Sequence, residues 1–546
     1  MFNKILGNWK SGLTVSLVSI PLALALAITT GATPTQGLIT AFWAGLIGAI
    51  LGGSNFNIIG PTGALSGILL SYALLHGYQS LPLIAILSGI IILVVYLLHL
   101  DRYIIFIPRS VIHGFTLGIA FIIGFGQIDN ALGITGIPKS EYFVKNILVS
   151  LQHLGEANWG IFAIFMISTL FIVLWNKKFP RVPGAAVAAF ASITIIIFLN
   201  YFGYETSVLT LGDKYPTINA TLFENPFTQF SWKILLQKDL WLISITTAVI
   251  AILETLLSSQ IADVMTNTKF KRSKEVFGLS IANIGSGLMG GIPATAALAR
   301  TSLNIKSGAN HKTSAAISSL LIGIIILIFL GFFKQLPMVI IASILVVVAI
   351  GMVEKKHFIH LIENEKTAFI LSLFVAFIVI VEDPMIGILI GTVIALLIFV
   401  NKLSYGQTEV LIWKNGKMIE ALLKNEFLKK AVLDSDIIVY KIAGTLTYVN
   451  MPAHLEAIQN IKNNKYVIIS LRHTFYADTD GIDYLEEIIE LLKQNNDKIL
   501  LAGINKEIEC KIHKKDFYKN KLIAGKIYKR TSEAISEITN IKSTQE

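Results

Sequence analysis

Two charged residues stand where the surrounding sequence is almost wholly apolar. Arg300 follows the glycine, alanine and threonine of GGIPATAALARTSL (290–303), and Glu254 sits midway along ITTAVIAILETLLSSQIAD. A charge deep in a membrane is costly, so it faces a partner or a watery cavity. A guanidinium is shaped to grip an oxyanion, which gives Arg300 a purpose. The competing reading is an arginine snorkelling to the inner surface, with Lys306 close behind. An isolated carboxylate at that depth tends to be protonated, which suits Glu254 to proton coupling. It could instead be a structural partner of Arg300 or a permanently protonated hydrogen-bonding group. Ser258, one turn on, shares its face, and the two could alternatively hold Na⁺.

Two short segments are placed to present such a site. Residues 58–65 read IIGPTGAL and residues 291–298 read GIPATAAL. Each has an extended-looking lead, a proline and then small residues. Proline fits the first turn of a helix, so both segments are predicted to be half-helices that begin inside the membrane. Their free N–H groups need partners that lipid cannot supply, and they carry the positive end of the helix dipole. Two such starts facing each other make an anion pocket. Gly63, Ala64, Thr295, Ala296 and Ala297 are small enough to let a ligand approach the backbone. Thr62, Ser66 and Thr295 add hydroxyl donors.

The elements that must position these residues are membrane spans. The chain has 546 residues, of which 54% are hydrophobic and only 15% charged. Long apolar blocks fill residues 11–402, and from about residue 405 the text turns polar. This predicts a polytopic membrane domain over 1–403 and a soluble domain over 404–546. The net charge of +10 is assigned to cytoplasmic loops rather than to nucleic-acid binding. The single cysteine, Cys510, excludes an intrachain disulfide and a cysteine metal cluster. No HExxH spacing, Walker loop or dinucleotide fingerprint is present, so no metal, cofactor or enzymatic activity is expected. The N-terminal run ending in LALALAITTGATP resembles a signal peptide, but the apolar segments that follow at once favour a first membrane helix.

Fourteen elements are read near 11–30, 35–52, 61–75, 80–99, 105–127, 158–175, 183–202, 240–262, 276–290, 293–305, 310–331, 336–352, 366–381 and 383–401. With the N-terminus inside, the outer loops hold only Lys139, Lys145, Lys214, Lys233, Lys238 and Lys334. The inner loops hold basic clusters such as Lys177, Lys178 and Arg181, or Lys269, Lys271, Arg272 and Lys274. This sorting places both termini in the cytoplasm. Pro61 and Pro293 are 232 positions apart (293 − 61), as are Leu22 and Glu254 (254 − 22). A seven-element offset within fourteen implies two repeats, the second inverted, with the site at their interface.

At these residues the chain resembles the bacterial sulfate permease family. The resemblance rests on SIPLALALAITTGATPTQGLITAFWAGLIGAILGGS (19–54), GPTGAL (60–65), ETLLSSQIAD (254–263) and GGIPATAALARTSLNIKSGANHKT (290–313). It implies a seven-plus-seven inverted repeat, a core domain moving against a gate domain in elevator-like alternating access, and a homodimer. It also implies an anion between the third and tenth helices. Thr62, Gly63, Ala64, Leu65 and Ser66, and Thr295, Ala296, Ala297, Leu298, Ala299 and Arg300, match the family's binding segments. Glu254 matches the acidic position linked to proton coupling in sulfate carriers. Glu254 and Arg300 together favour proton-coupled sulfate uptake over sodium-coupled bicarbonate transport. Many relatives have glutamine after the first-helix proline, whereas this chain has Leu22, an apolar character shared with bicarbonate carriers. Dicarboxylate transport and channel-like anion conduction are also compatible with these residues.

The tail alternates strand and helix patterns over 432–546. DIIVYKIAGTLTYVN reads as two strands, PAHLEAIQNIKNN as a helix, KYVIISLRH as a strand, GIDYLEEIIELLKQNN as an amphipathic helix and KILLAGIN as a strand. It resembles a STAS domain, an α/β fold, with the signature loop FYADTDGI at 475–482. Where anti-sigma factor antagonists carry a phosphorylatable serine, this chain has Asp480, so no phosphorylation switch is expected there, although Thr479 is adjacent. Asp480 otherwise suits a solvated helix cap.

Overall fold

The computed structural model describes residues 2–102, 107–137, 140, 142–179, 182–203, 208–216, 218–227, 232–382, 384–404, 408–414, 417–421, 437–459, 466–494, 498–513 and 527–543. Lys139 and Arg181 of the charge sorting lie outside the described residues, as do 432–436, 460–465 and 495–497 of the tail. The chain divides into two compact units, residues 1–393 and 394–546.

The first unit is helical. In chain order it contains α1 (Phe2–Thr29), α2 (Pro34–Leu51), α3 (Ser66–His76), α4 (Leu81–Leu97), α5 (Arg109–Phe125), α6 (Ile128–Leu132), α7 (Phe143–Gln152), α8 (Trp159–Lys178) and α9 (Gly184–Tyr201). Then come α10 (Leu211–Lys214), α11 (Lys238–Thr266), α12 (Arg272–Leu288), α13 (Leu298–Lys306), α14 (Thr313–Lys334), α15 (Met338–Met352), α16 (Lys355–Asn364) and α17 (Lys366–Val381), and α18 (Pro384–Ser404) runs across the boundary at 393/394. Among the described residues, nine helices are long and apolar enough to cross a membrane, and three shorter apolar ones join them. With α12 and α13 these make the fourteen predicted elements. Helix α1 runs unbroken through Pro21. Apolar side chains such as Ile167, Leu170 and Leu174 on α8 are exposed, as a lipid-facing surface requires.

The helices pack as the repeat predicts. α1, α2 and α4 contact α11, α12 and α14, whereas α5 and α8 contact α15 and α17. The repeat axis is visible between the two predicted half-helices. The chain leading into α3 and the chain leading into α13 each carry a two-residue strand, β1 (Ile59–Gly60) and β2 (Thr295–Ala296). They pair antiparallel, Ile59 opposite Ala296 and Gly60 opposite Thr295.

Pro61 and Pro293 therefore stand in extended leads, not in first helical turns as the sequence suggested. The helices begin later, with a 3₁₀ turn at Gly63–Leu65 that continues into α3, and at Leu298. The physical reason is backbone pairing: an extended lead inside the protein can satisfy its polar groups across the repeat axis. Proline's fixed φ suits extended chain as well as a helix start. Side chains satisfy other lead groups. Thr40 Oγ1 accepts from the Ile292 N–H at 2.7 Å, Asn283 Oδ1 accepts from the Ala294 N–H at 2.8 Å, and Asn304 Nδ2 donates to the Phe56 carbonyl at 2.9 Å.

The second unit is built on a six-stranded sheet of β3 (Thr408–Lys414), β4 (Lys417–Ala421), β5 (Ile437–Leu446), β6 (Tyr466–Ala477), β7 (Lys498–Ala502) and β8 (Ile527–Tyr528), in the order β4-β3-β5-β6-β7-β8. Strands β5 to β8 are parallel, while β3 pairs antiparallel with β4 and β5. The helices are α19 (Met451–Gln459), α20 (Thr479–Gln494), α21 (Lys506–Ile512) and α22 (Thr531–Ser543). Alternate β5 residues serve opposite faces: Ile438, Tyr440 and Ile442 pack with Leu485 and Ile489, and Ile437 and Val439 pack with Ile538. Both faces are buried, as a parallel sheet demands.

The segment read as two strands is one strand, Ile437–Leu446. Register shifts beside Ala443 and Gly444 let it bend without breaking, and Gly444 takes φ 99°. Strand β6 reaches Ala477, so the first residues of FYADTDGI are strand. Asp478, not Asp480, caps α20, accepting from the Gly481 N–H at 2.6 Å.

Candidate functional site

The leads and α11 converge on one carboxylate. Thr62 Oγ1 donates to Glu254 Oε2 at 3.0 Å, and Thr295 Oγ1 donates to the same oxygen. The two hydroxyls are themselves 3.2 Å apart. One threonine comes from each repeat, so the symmetry of the leads delivers two donors to a single acid. Glu254 also lines a cavity of about 40 Å³ with Ala64, Phe115, Leu257 and Met352. A larger cavity of about 610 Å³ reaches Ser66 and Gly67 from beside Ile122, Ile123 and Gln127.

Arg300 turns inward. It is 2% exposed, and its Nη2 donates to the Pro61 carbonyl at 2.7 Å, while Nε is buried without a hydrogen-bond partner among the described residues. The arginine therefore does not snorkel. It joins the helix start of the second repeat to the lead of the first. Among the described residues it forms no ion pair with Glu254 within 4.0 Å, so the salt-bridge reading of that pair is not the geometry found. Gly60 makes the seat: a Cβ there would lie 2.7 Å from Nη1 and 3.4 Å from Cζ.

The helix starts differ from the expectation in detail. Neither carries a side-chain cap: Thr62 and Ala297 precede the two starts without such a hydrogen bond. Leu65 is buried, and Leu298 and Ala299 form the first turn of α13. The amides of Ala296 and Ala297 are already engaged, donating to Thr255 Oγ1 at 3.1 Å and to the Ile58 carbonyl at 3.3 Å. Strand pairing thus leaves the first-turn amides of Gly63–Leu65 and Leu298–Arg300 as the donors suited to an anion. Ser66 directs its hydroxyl to the Gly63 carbonyl at 2.6 Å.

The Ser258 hydroxyl donates to Asn57 Oδ1 at 3.1 Å and its oxygen lies 3.0 Å from Thr301 Oγ1, so among the described residues its hydrogen bonding goes to these two rather than to Glu254. Sequence reading missed Asn57, Gly60, Thr255, Thr301 and Glu275. All but Gly60 join one buried polar network, Thr255 through its carbonyl, and the only signal for it was polar residues recurring beside the leads. Among the described residues no cluster of three metal-ligating side chains is present.

The comparisons with known proteins agree with this architecture. Residues 5–375 match the model of the Sulfate permease family, and residues 429–534 match that of the STAS domain. The Bacillus subtilis (strain 168) protein YvdB is 31% identical over 511 residues, covering 92% of each chain. Sulfate transporter 4.1, chloroplastic, of Arabidopsis thaliana is 25% identical, covering 92% of this chain and 76% of that protein. The solved structure of SLC26A9 superposes with a TM-score of 0.83 over 100% of this chain and 91% of that one, at 15% identity. The paired leads, the inverted helical repeat and these matches together establish that the chain belongs to the sulfate permease family and ends in a STAS domain.

Proposed function

We propose that this chain is a secondary active importer of an inorganic oxyanion, sulfate above all, driven by protons through alternating access of elevator type. The observation that carries the reading is the convergence of Thr62 and Thr295, one from each repeat, on Glu254. When Glu254 is ionised it claims both hydroxyl protons. Once it is protonated, those hydroxyls are released to donate to an anion held at the starts of α3 and α13, with Arg300 supplying positive charge. Proton and anion therefore favour each other's binding. For a doubly charged anion entering against an inside-negative potential, the opposing work is about 2.3 kcal/mol per charge per 100 mV. A proton carried inward on Glu254 offsets part of it.

The same reading takes both termini as cytoplasmic in the plasma membrane, the domain boundary at 403/404 and the working unit as a homodimer. Bicarbonate is the second candidate anion, favoured by one residue: Leu22 is buried and apolar where a glutamine would offer a polar contact. Replacing Glu254 with Gln tests the coupling. Sulfate uptake into proteoliposomes is expected to rise with acidity in the wild type, and Glu254→Gln is expected to remove that rise. Unchanged acid stimulation in the variant would take Glu254 out of the coupling role.

A further inference from the structure

One buried carboxylate has no place in this mechanism. Glu275, in the first turn of α12, is 1% exposed. Its Oε2 accepts from the N–H groups of Gly53 at 2.6 Å and Ser54 at 2.7 Å, and its Oε1 accepts from Asn57 Nδ2 at 2.6 Å. Among the described residues no Lys, Arg or His nitrogen comes within 4.0 Å of it. Its hydrogen bonds among the described residues all come from amide donors. The chain is shaped to bring it there. A Cβ on Gly52 would lie 2.9 Å from Oε2, and a Cβ on Gly278 would lie 2.6 Å from the Gly52 Cα.

Asn57 passes this anchorage on. Its Nδ2 also donates to Ser259 Oγ at 2.7 Å, and its Oδ1 accepts from the Ser258 hydroxyl, whose oxygen lies 3.0 Å from Thr301 Oγ1 in hydroxyl–hydroxyl contact. Thr301 Oγ1 accepts from the Ile58 N–H at 3.3 Å as well. Thr301 follows Arg300 in the first turns of α13. We infer that Glu275 is a positioning residue of the anion site: through Asn57 it sets the first lead and the start of α13 relative to each other, and so the place of Arg300. This rests on the site assignment above.

The test uses the full-length protein, with radiolabelled sulfate uptake into liposomes and hydrogen exchange of the 298–304 amides measured without anion. Glu275→Gln puts an NH₂ group against N–H donors, and Asn57→Asp puts two carboxylates together. Each single change should raise the half-saturating sulfate concentration about tenfold or more, with the maximal rate held within about threefold, because misplaced donors cost affinity. Each should also speed exchange in α13. The double variant restores both readouts, because the new amide at 275 still accepts from Gly53 and Ser54 while its NH₂ faces the new carboxylate at 57. A purely structural role predicts lost protein and additive damage instead. Unaltered exchange at 298–304, or additive damage in the double variant, overturns the inference. A wild type that takes up no anion, with exchange changing and recovering as described, would bring down the transport reading and leave the link between Glu275 and α13 standing.

Discussion

At the scale of single residues, the site depends on close approach as much as on charge. Arg300 lies against the bare Cα of Gly60 and reaches the Pro61 carbonyl. Adding one methyl there forces the guanidinium out of its seat, and overpacking of a tight interior costs roughly 1–3 kcal/mol. Gly60→Ala is therefore expected to weaken sulfate affinity about tenfold while leaving the protein membrane-inserted. Titration of half-saturation in proteoliposomes checks this, and an unchanged value would mean that the arginine's seat is irrelevant to binding. Arg300 and Glu254 were legible in the sequence because a charge in an apolar run stands out. Gly60 and Asn57 were not, because their roles arise only when residues 201 to 240 positions apart in the chain are brought together.

At the scale of elements, the sequence pattern located all fourteen elements of the membrane unit, nine of them among the described residues by the length and apolarity that lipid imposes. It misjudged where the two half-helices begin. Proline marks a place where a helix can start, but Pro61 and Pro293 serve an extended lead whose pairing partner lies in the other repeat. Local chemistry cannot announce a partner across a symmetry axis. The STAS sheet shows the same limit: the tail's strands were legible by alternation, while Gly444 joins what read as two strands into one.

The helix-to-sheet contact in that unit carries a pH prediction. Tyr440 on β5 shares a hydrogen bond with His454 Nδ1 of α19 at 3.0 Å, and burial lowers the His454 pKa to about 4. In the unfolded chain the imidazole titrates near its ordinary value of about 6.5. The unfolded state then binds the extra proton first, so the stability tied to neutral His454 is complete above about pH 6.5 and is lost as pH falls toward 4. A fluorophore on the exposed Cys510 reports melting of this unit in the full chain. The midpoint should fall over that window in the wild type. It should fall less in a Tyr440→Phe, His454→Phe double variant, which removes both polar partners at once. Equal slopes would show that His454 does not govern the acid response.

At the scale of the whole molecule, the transport unit is two inverted copies meeting at one point. Each copy contributes a threonine to Glu254 and, in the function proposed above, a helix start to the anion, so the symmetry of the fold becomes the composition of the site. The seven-element offset was readable because both copies keep a proline followed by small residues. The polar network behind the leads was not, because serine, threonine and asparagine are common in ordinary loops and helices. The most direct measurement is the position of a bound oxyanion. Selenate, a tetrahedral ion whose centre scatters anomalously, can be soaked into crystals of the purified protein. The account predicts a peak between the first-turn amides of Gly63–Leu65 and Leu298–Arg300, beside Thr62 and Thr295. A peak elsewhere, with those amides unvisited at concentrations that saturate uptake, would contradict it.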